Sequence, residues 1–223
     1  RIKLSSIVFF IIVIFGFFLL LQKKYRKVSI PYAIATTGFT AMIFELILIF
    51  SFQIFYGYIF YEIGLLITTF MGGMAAGGMA ITSRFGRIHK EVRLFKALEI
   101  AIIVFSLSLF LLFYYLDFIF SFSSIYIHIL FLFLLLLSGF LTGIEFPLAN
   151  RIYLRGGSSL NSEVTSIEWS VGLLYSLDLV GGCIGGIIGG LILLPILGLL
   201  AGSIMLAVLK FSSLLLLMTF PER

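Results

Sequence analysis

The stretch Leu173–Leu194, LLYSLDLVGGCIGGIIGGLILL, holds a single charged side chain, Asp178, and six glycines in 22 residues. A helix needs about 20 apolar residues to cross the roughly 30 Å hydrocarbon core of a bilayer, and this stretch has them. The rest of the chain offers no water-soluble fold to bury it. Of 223 residues, 61% are hydrophobic and 11% charged, against about 45–50% and about 25% in soluble domains. Too few polar side chains remain to cover a globule in water, so the bilayer is the solvent. The expected fold is all-α, a polytopic integral membrane helix bundle.

Working outward, runs of spanning length between polar breaks predict about seven transmembrane helices. They lie near Leu4 to Leu21, Pro31 to Phe55, Ile59 to Ile81, Ala97 to Leu116, Ile125 to Asn150, Ser170 to Leu194 and Leu199 to Phe220. The break between the last two rests only on Pro195 and Gly198, so these could form one long kinked helix. Residues 1–29 hold the first span and its basic loop, 30–120 a three-helix unit and 121–223 a second. Basic residues stay on the cytoplasmic side of short loops. Lys23, Lys24, Arg26 and Lys27 follow the first span, Arg84 to Lys96 follow the third, and Arg151 and Arg155 follow the fifth. The loops between them carry no Lys or Arg. This alternation predicts a multi-pass protein of the inner (plasma) membrane with a cytoplasmic C-terminus. The chain begins with Arg, so an upstream segment is expected.

One cysteine, Cys183, excludes disulfide frameworks and multi-cysteine metal sites within the chain. His89 and His128 are expected on opposite sides of the membrane, where they cannot pair on a haem. No metal and no cofactor is therefore expected. The +5 net charge is absorbed by membrane-flanking loops and implies no nucleic-acid partner.

Glycine patterning sets the packing. Gly181, Gly185 and Gly189 form one small-xxx-small ladder, and Gly182, Gly186 and Gly190 the adjacent one. Lipid tails are as apolar as leucine, so helices associate by close backbone approach, which glycine permits. This places the sixth span near the centre of the bundle. Gly73, Ala76 and Gly77 repeat the pattern in the third. The segment Gly38 to Glu45 resembles Gly139 to Glu145, and Gly64 to Gly78 resembles Gly172 to Gly186, each pair to within one residue of spacing. Since the second and fifth spans run in opposite directions, a 3+3 inverted repeat is expected, as in transporters.

Ionisable groups in the hydrocarbon cost at least about 2.5–3.5 kcal/mol each on insertion scales. Glu45 falls near the midplane, while Glu145, Asp178 and Lys210 fall at similar depths in the cytoplasmic half. An ion pair from Lys210 to Asp178 or Glu145 would neutralise one acid. Two of the three carboxylates then need protonation, a hydrogen bond such as one from Tyr175 or Gln53, or a cation. Glu45, Glu145 and Asp178 are thus the candidate site for a cationic ligand or a proton relay. Glu62, Glu99 and Asp117 are expected near helix ends within reach of water, and Glu91 in a solvated loop. Pro147 should free a backbone carbonyl one turn earlier.

Gly38 to Gln53, the continuation through Tyr56-Gly57-Tyr58 to Ile63-Gly64-Leu65, and Phe70 to Gly73 resemble the membrane domain of the fused transporter-like (MFS)/spermidine synthase family. Gly139 to Pro147, Tyr175 to Gly182 and Leu194 to Gly198 resemble it too. In that family the helices are commonly joined to an aminopropyltransferase-like domain, which implies polyamine chemistry or handling. This chain has no Gly-rich loop after a strand to hold a nucleotide-type substrate, so no catalytic residue is expected and the synthase activity does not transfer. The resemblance implies binding or transport of a small, polyamine-like organic cation. The alternative is a non-catalytic anchor or scaffold subunit of a larger membrane complex, respiratory or multihaem. A third reading has a separately encoded synthase chain docking on Arg84 to Lys96. Other membrane or cytoplasmic subunits are expected partners besides lipid.

Overall fold

The computed structural model describes residues 29–57, 60–87, 90–115, 124–157 and 164–218. The first span, its basic loop, Tyr58, His89, Asp117 and the centre of the polar connection before Trp169 lie outside the described residues. The described residues form α1 (Ser29–Tyr56), α2 (Phe60–Thr82), a short 3-10 turn (Phe85–Arg87), α3 (Glu91–Tyr114), α4 (Ser124–Gly157), α5 (Val164–Ile188), a π-helical turn (Gly189–Leu193) and α6 (Leu194–Met218). Five helical runs among them are long and apolar enough to cross a membrane, the last being Glu168–Met218.

Side-chain pairings give the direction of each helix. Tyr32, Thr37 and Ile47 of α1 meet Ser212, Lys210 and Gly202 of α6, so these two run antiparallel. Along α5, Gly181, Gly185 and Gly189 meet Ala35, Phe39 and Ile43 in ascending order, so α1 and α5 are parallel. The 51-residue run Glu168–Met218 therefore folds back on itself. The physical cause is local. Pro195 cannot donate to the carbonyl one turn earlier, and the preceding turn widens so that the Leu194 N–H reaches Gly189 O. Gly198, with φ 76° and ψ 178°, then reverses the chain in a region that a Cβ disfavours. A second positive-φ glycine, Gly57 (φ 77°), ends α1 while its N–H satisfies Gln53 O.

Two tight crossings hold the bundle. A Cβ built on Gly181 would lie 2.1 Å from Ala35 O, on Gly185 2.7 Å from Phe39 O, and on Gly38 2.1 Å from Asp178 O. In the parallel α2–α4 crossing, a Cβ on Gly73 would lie 2.3 Å from Leu136 O, on Gly77 2.3 Å from Phe140 O, and on Gly139 2.2 Å from Phe70 O. Backbones touch at all six positions, so any side chain there would force the helices apart. Gly182, Gly186 and Gly190 face the same helix α1 at looser spacing, with nearest atoms on Gly38, Met42 and Leu46.

The sixth span, expected at the centre, is instead peripheral on one face: Leu179, Val180, Ile187 and Leu191 of the α5 region are exposed. Its glycine face makes it close to α1, and α1 is the central helix, in contact with α4, α5 and α6 and buried along most of its length. A glycine ladder tells how closely a helix packs, not on how many sides.

The apolar core is divided into two. One cluster is built on Ile43, Phe44, Ile47 and Phe52 with Ile102, Phe105, Leu135 and Leu206. The other holds Ile30, Ala33 and Ile34 with Phe95, Leu98, Leu148, Ala149 and Leu217. Between them, at the level of Thr37, Glu99, Glu145 and Lys210, lies a polar layer. Arg84, Lys90, Arg93, Lys96 and Arg151 all lie on the second cluster's side of the polar layer, here called the basic end. α4 runs unbroken through Pro147.

Candidate functional site

The polar layer is set by helical periodicity. On α4, Glu145 shares a buried face with Leu148, Ala149 and Ile152. On α3, Glu99 lies on the stripe Phe95, Ile102, Phe105, Ser106 and Leu109. On α6, Lys210 follows Ser203, Leu206 and Ala207 and precedes Ser213 and Leu217 on the buried side. Side chains three and four residues apart stack on one face, so each charged group is carried inward by the apolar residues around it.

Lys210 is the hub, with 0% of its side chain exposed. Its Nζ lies 2.8 Å from Glu145 Oε2, 3.3 Å from Glu99 Oε2 and 2.8 Å from Thr37 Oγ1. Two of its three N–H donors are used in hydrogen bonds to Glu145 and Thr37, while Glu99 is held as an ion pair. Thr37 accepts from Lys210 while its own hydroxyl stands against both Glu145 Oε2 and the Ala33 carbonyl. The Ser213 hydroxyl donates to Glu99 Oε1 at 2.8 Å. One residue away, Tyr32 and Ser212 share a hydrogen bond of 2.8 Å, and Tyr32 is within electrostatic reach of Glu99 and Lys210. Both carboxylates are fully buried. Burying an ion costs several kcal/mol unless its partners are close, and here two acids share one cation. Glu145 Oε1, Glu99 Oε2 and Thr40 Oγ1 are buried with no hydrogen-bond partner.

The candidate residues are distributed as follows. Glu145 and Lys210 are brought into direct contact. Asp178 is half-buried where α5 crosses Gly38, and it interacts electrostatically with Glu145 and Lys210. Glu45 is buried but lies eight residues beyond Thr37 on α1, about 12 Å along the axis at 1.5 Å per residue, among the other core cluster. Tyr175 packs edge-on against Phe146.

Two acids expected in water are buried instead. Glu99 has 0% exposure because α3 begins at Glu91, not near Ala97; the extra turns sink Glu99 into the bundle. Its place on the stripe Phe95, Leu98, Ile102 and Phe105 was the legible signal. Glu91 is 7% exposed and its Oε1 meets Arg151 Nε at 2.6 Å. Arg151 also donates from Nη1 to the Phe85 carbonyl at 2.6 Å and lies 4.6 Å over the Phe85 ring. This bridge ties α4 to α3 and to the 3-10 turn at the basic end, below the Lys210 cluster. At the opposite end His128 Nε2 is 3.4 Å from Glu62 Oε2, and His128 packs edge-on against Phe52 and Tyr56.

The arrangement is suited to holding positive charge: three acids stand around one lysine in a layer sealed by apolar clusters on both sides. No protein-family model matches the chain, and no curated protein and no solved structure is similar to it.

Proposed function

We propose that the chain is a seven-span protein of the inner (plasma) membrane, with a cytoplasmic basic end and C-terminus, that binds or transports a small organic cation of polyamine type at its buried acids. The observation that carries this is the charge count around Lys210. Glu99, Glu145 and Asp178 oppose one ammonium, and the two charges left over suit a linear diamine or a longer polyamine. Glu45, closer to the opposite end of α1, is a fourth carboxylate, further along the route across. The resemblance to the membrane domain of the transporter-like/spermidine synthase proteins points to the same ligand class.

An inverted repeat of 30–120 and 121–223 supports the transport reading. The contact of Gly181 with Ala35 O corresponds to that of Gly73 with Leu136 O, Gly185 with Phe39 O to Gly77 with Phe140 O, and Gly38 with Asp178 O to Gly139 with Phe70 O. One offset relates α1 to α4 in all three (35 to 136, 38 to 139, 39 to 140), and one relates α2 to α5 (70 to 178, 73 to 181, 77 to 185). In this register Phe44 corresponds to Glu145. Phe44 is fully buried and packs edge-on against Phe105 at 5.1 Å. The ionic layer thus belongs to one unit's half of the membrane, and the matching position in the other is closed by aromatics.

Uptake of a radiolabelled diamine or triamine into proteoliposomes tests the proposal. Flux that falls at least tenfold in Asp178→Asn and Glu145→Gln is expected; no flux above empty liposomes overturns it. A second reading, a non-catalytic membrane subunit of a larger complex, is favoured by one surface. Gly64, Thr68, Gly72 and Ala76 lie exposed along α2, with open space at both glycines, a stripe suited to a partner helix. Stoichiometric copurification of another membrane or cytoplasmic chain, with dispensable carboxylates, would select it.

A further inference from the structure

We propose that the Glu99–Lys210–Glu145 cluster is also a proton-binding site, one exchangeable proton being shared by the two carboxylates, so that the proton is the coupling ion of the proposed transport. This rests on the reading of the cluster as the working site but not on the identity of the organic cation.

Three observations carry it. Glu99, Glu145 and Lys210 have no exposed side-chain surface, so the negative charge by which two carboxylates exceed one ammonium has no solvent to stabilise it; a buried, unpaired charge is among the costliest arrangements in a protein. Lys210 hydrogen-bonds Glu145 Oε2 and Thr37 Oγ1 and stands 3.3 Å from Glu99 Oε2 without a hydrogen bond to it, so carboxylate oxygens are left without a donor. Glu145 Oε1 has no donor either, and the Thr40 hydroxyl, one turn along α1 from Thr37, is fully buried without a partner. Two carboxylate oxygens without a donor, Glu145 Oε1 and Glu99 Oε2, within a net negative pair mark a place for one more positive charge.

That charge is a proton and not a metal ion because of Lys210. Lys210 already occupies Glu145 Oε2 at 2.8 Å, and among the described residues no three or more His, Cys, Asp or Glu side chains are grouped to hold a metal ion, whereas a proton bonds covalently to one oxygen and cancels the excess in place. The groups facing the cluster are Thr37 and Tyr32 from α1, Glu99 from α3, Asp178 from α5, and Ser212 and Ser213 from α6. None of these supplies a second cation. The step is simple in its balance: an O–H bond forms on a carboxylate as one breaks in hydronium or a buffer acid at the basic end, and release reverses it. Arriving organic cation would compete with the proton for the same negative charge, and that exclusion is the basis of exchange.

The test is infrared difference spectroscopy of the full chain in lipid nanodiscs across a pH step, reading the carbonyl stretch of protonated carboxyl groups. Glu99→Gln leaves one acid opposite one ammonium and keeps an acceptor for Ser213, so it should fold and should show one protonated carboxyl fewer than the wild-type chain. Glu145→Gln should do the same. A band unaltered in Glu99→Gln overturns the proposal, whether or not Glu145→Gln folds. A wild-type band displaced by adding sodium at constant pH and ionic strength overturns it too, in favour of a metal cation. Diamine flux is not read in this experiment. Failed uptake with an intact Glu99-dependent band sinks the transport proposal alone, and uptake without the band sinks this one alone.

Discussion

Replacing Lys210 by methionine keeps most of the side-chain volume and removes the cation. The wild-type ammonium has Glu145 at 2.8 Å, Glu99 at 3.3 Å and Thr37 at 2.8 Å, all inside the bundle. Removing one partner of a buried ion pair leaves the other uncompensated and costs about 3–5 kcal/mol. Methionine is flexible and fills the stem's space, so little of the loss comes from a cavity. Two stranded carboxylates can be neutralised by protons, so the loss is largest at neutral pH and shrinks in acid. Reversible unfolding in bicelles by a denaturing detergent measures it. The decisive comparison is the triple variant Lys210→Met, Glu99→Gln, Glu145→Gln, which has the same packing and no charge. Buried ion pairs replaced by neutral groups of similar volume are often no less stable, so the triple variant should recover most of the loss. A single variant that loses less than about 1 kcal/mol, or a triple variant as unstable as the single one, refutes the view that these charges are mutually compensated.

Alanine at Gly77 or Gly139 should weaken the α2–α4 crossing, because the added Cβ would sit 2.3 or 2.2 Å from a carbonyl oxygen; alanine at Gly64 or Gly72, with nothing within 4 Å, should leave the monomer's thermal midpoint unchanged or raised. Gly198→Ala should destabilise the reversal between α5 and α6 by about 1–3 kcal/mol, the cost to an L-residue of a positive-φ, extended-ψ backbone that is essentially glycine's alone, read as faster proteolysis at that loop in nanodiscs. Arg151→Gln should raise accessibility of the basic end, since it removes the 2.6 Å ion pair to the 7% exposed Glu91 and releases Phe85 O; thiol labelling of a cysteine introduced at Thr82 reads this, and an unchanged labelling rate refutes it. Glu99→Gln alone should cost about 1 kcal/mol or less, because it leaves one acid for one base.

Composition and period were enough for much of this molecule. A chain with 61% hydrophobic residues must use lipid as solvent, and in lipid every backbone group has to be satisfied internally, which leaves helices or a closed barrel; apolar runs of about 20 residues select helices. Helix positions follow from run length, and the six glycines of Leu173–Leu194 announced a close crossing because only glycine removes the obstacle to one. The match between Gly38-Phe39 and Gly139-Phe140, and between the two glycine-rich helices, was already visible as a pattern. So was the anomaly of Glu145, Asp178 and Lys210, since a charge in an apolar run is conspicuous against its neighbours.

What the linear pattern could not give was who meets whom. Run length starts the fourth span near Ala97 and so puts Glu99 at a helix end; only the packed α3, beginning at Glu91, shows its depth. Glu91 looked solvated because its partner, Arg151, lies 60 residues away on another helix. The sixth span looked central because glycine density is local, whereas centrality depends on how many neighbours surround a helix, and α1 holds that place. Thr37 is one of several threonines until Lys210 arrives from α6. Hydrophobicity and backbone sterics act within a segment and can be read along it. Ion pairing acts between segments across a few ångströms, so the layer of charge that gives this protein its candidate site exists only once the helices have been brought together.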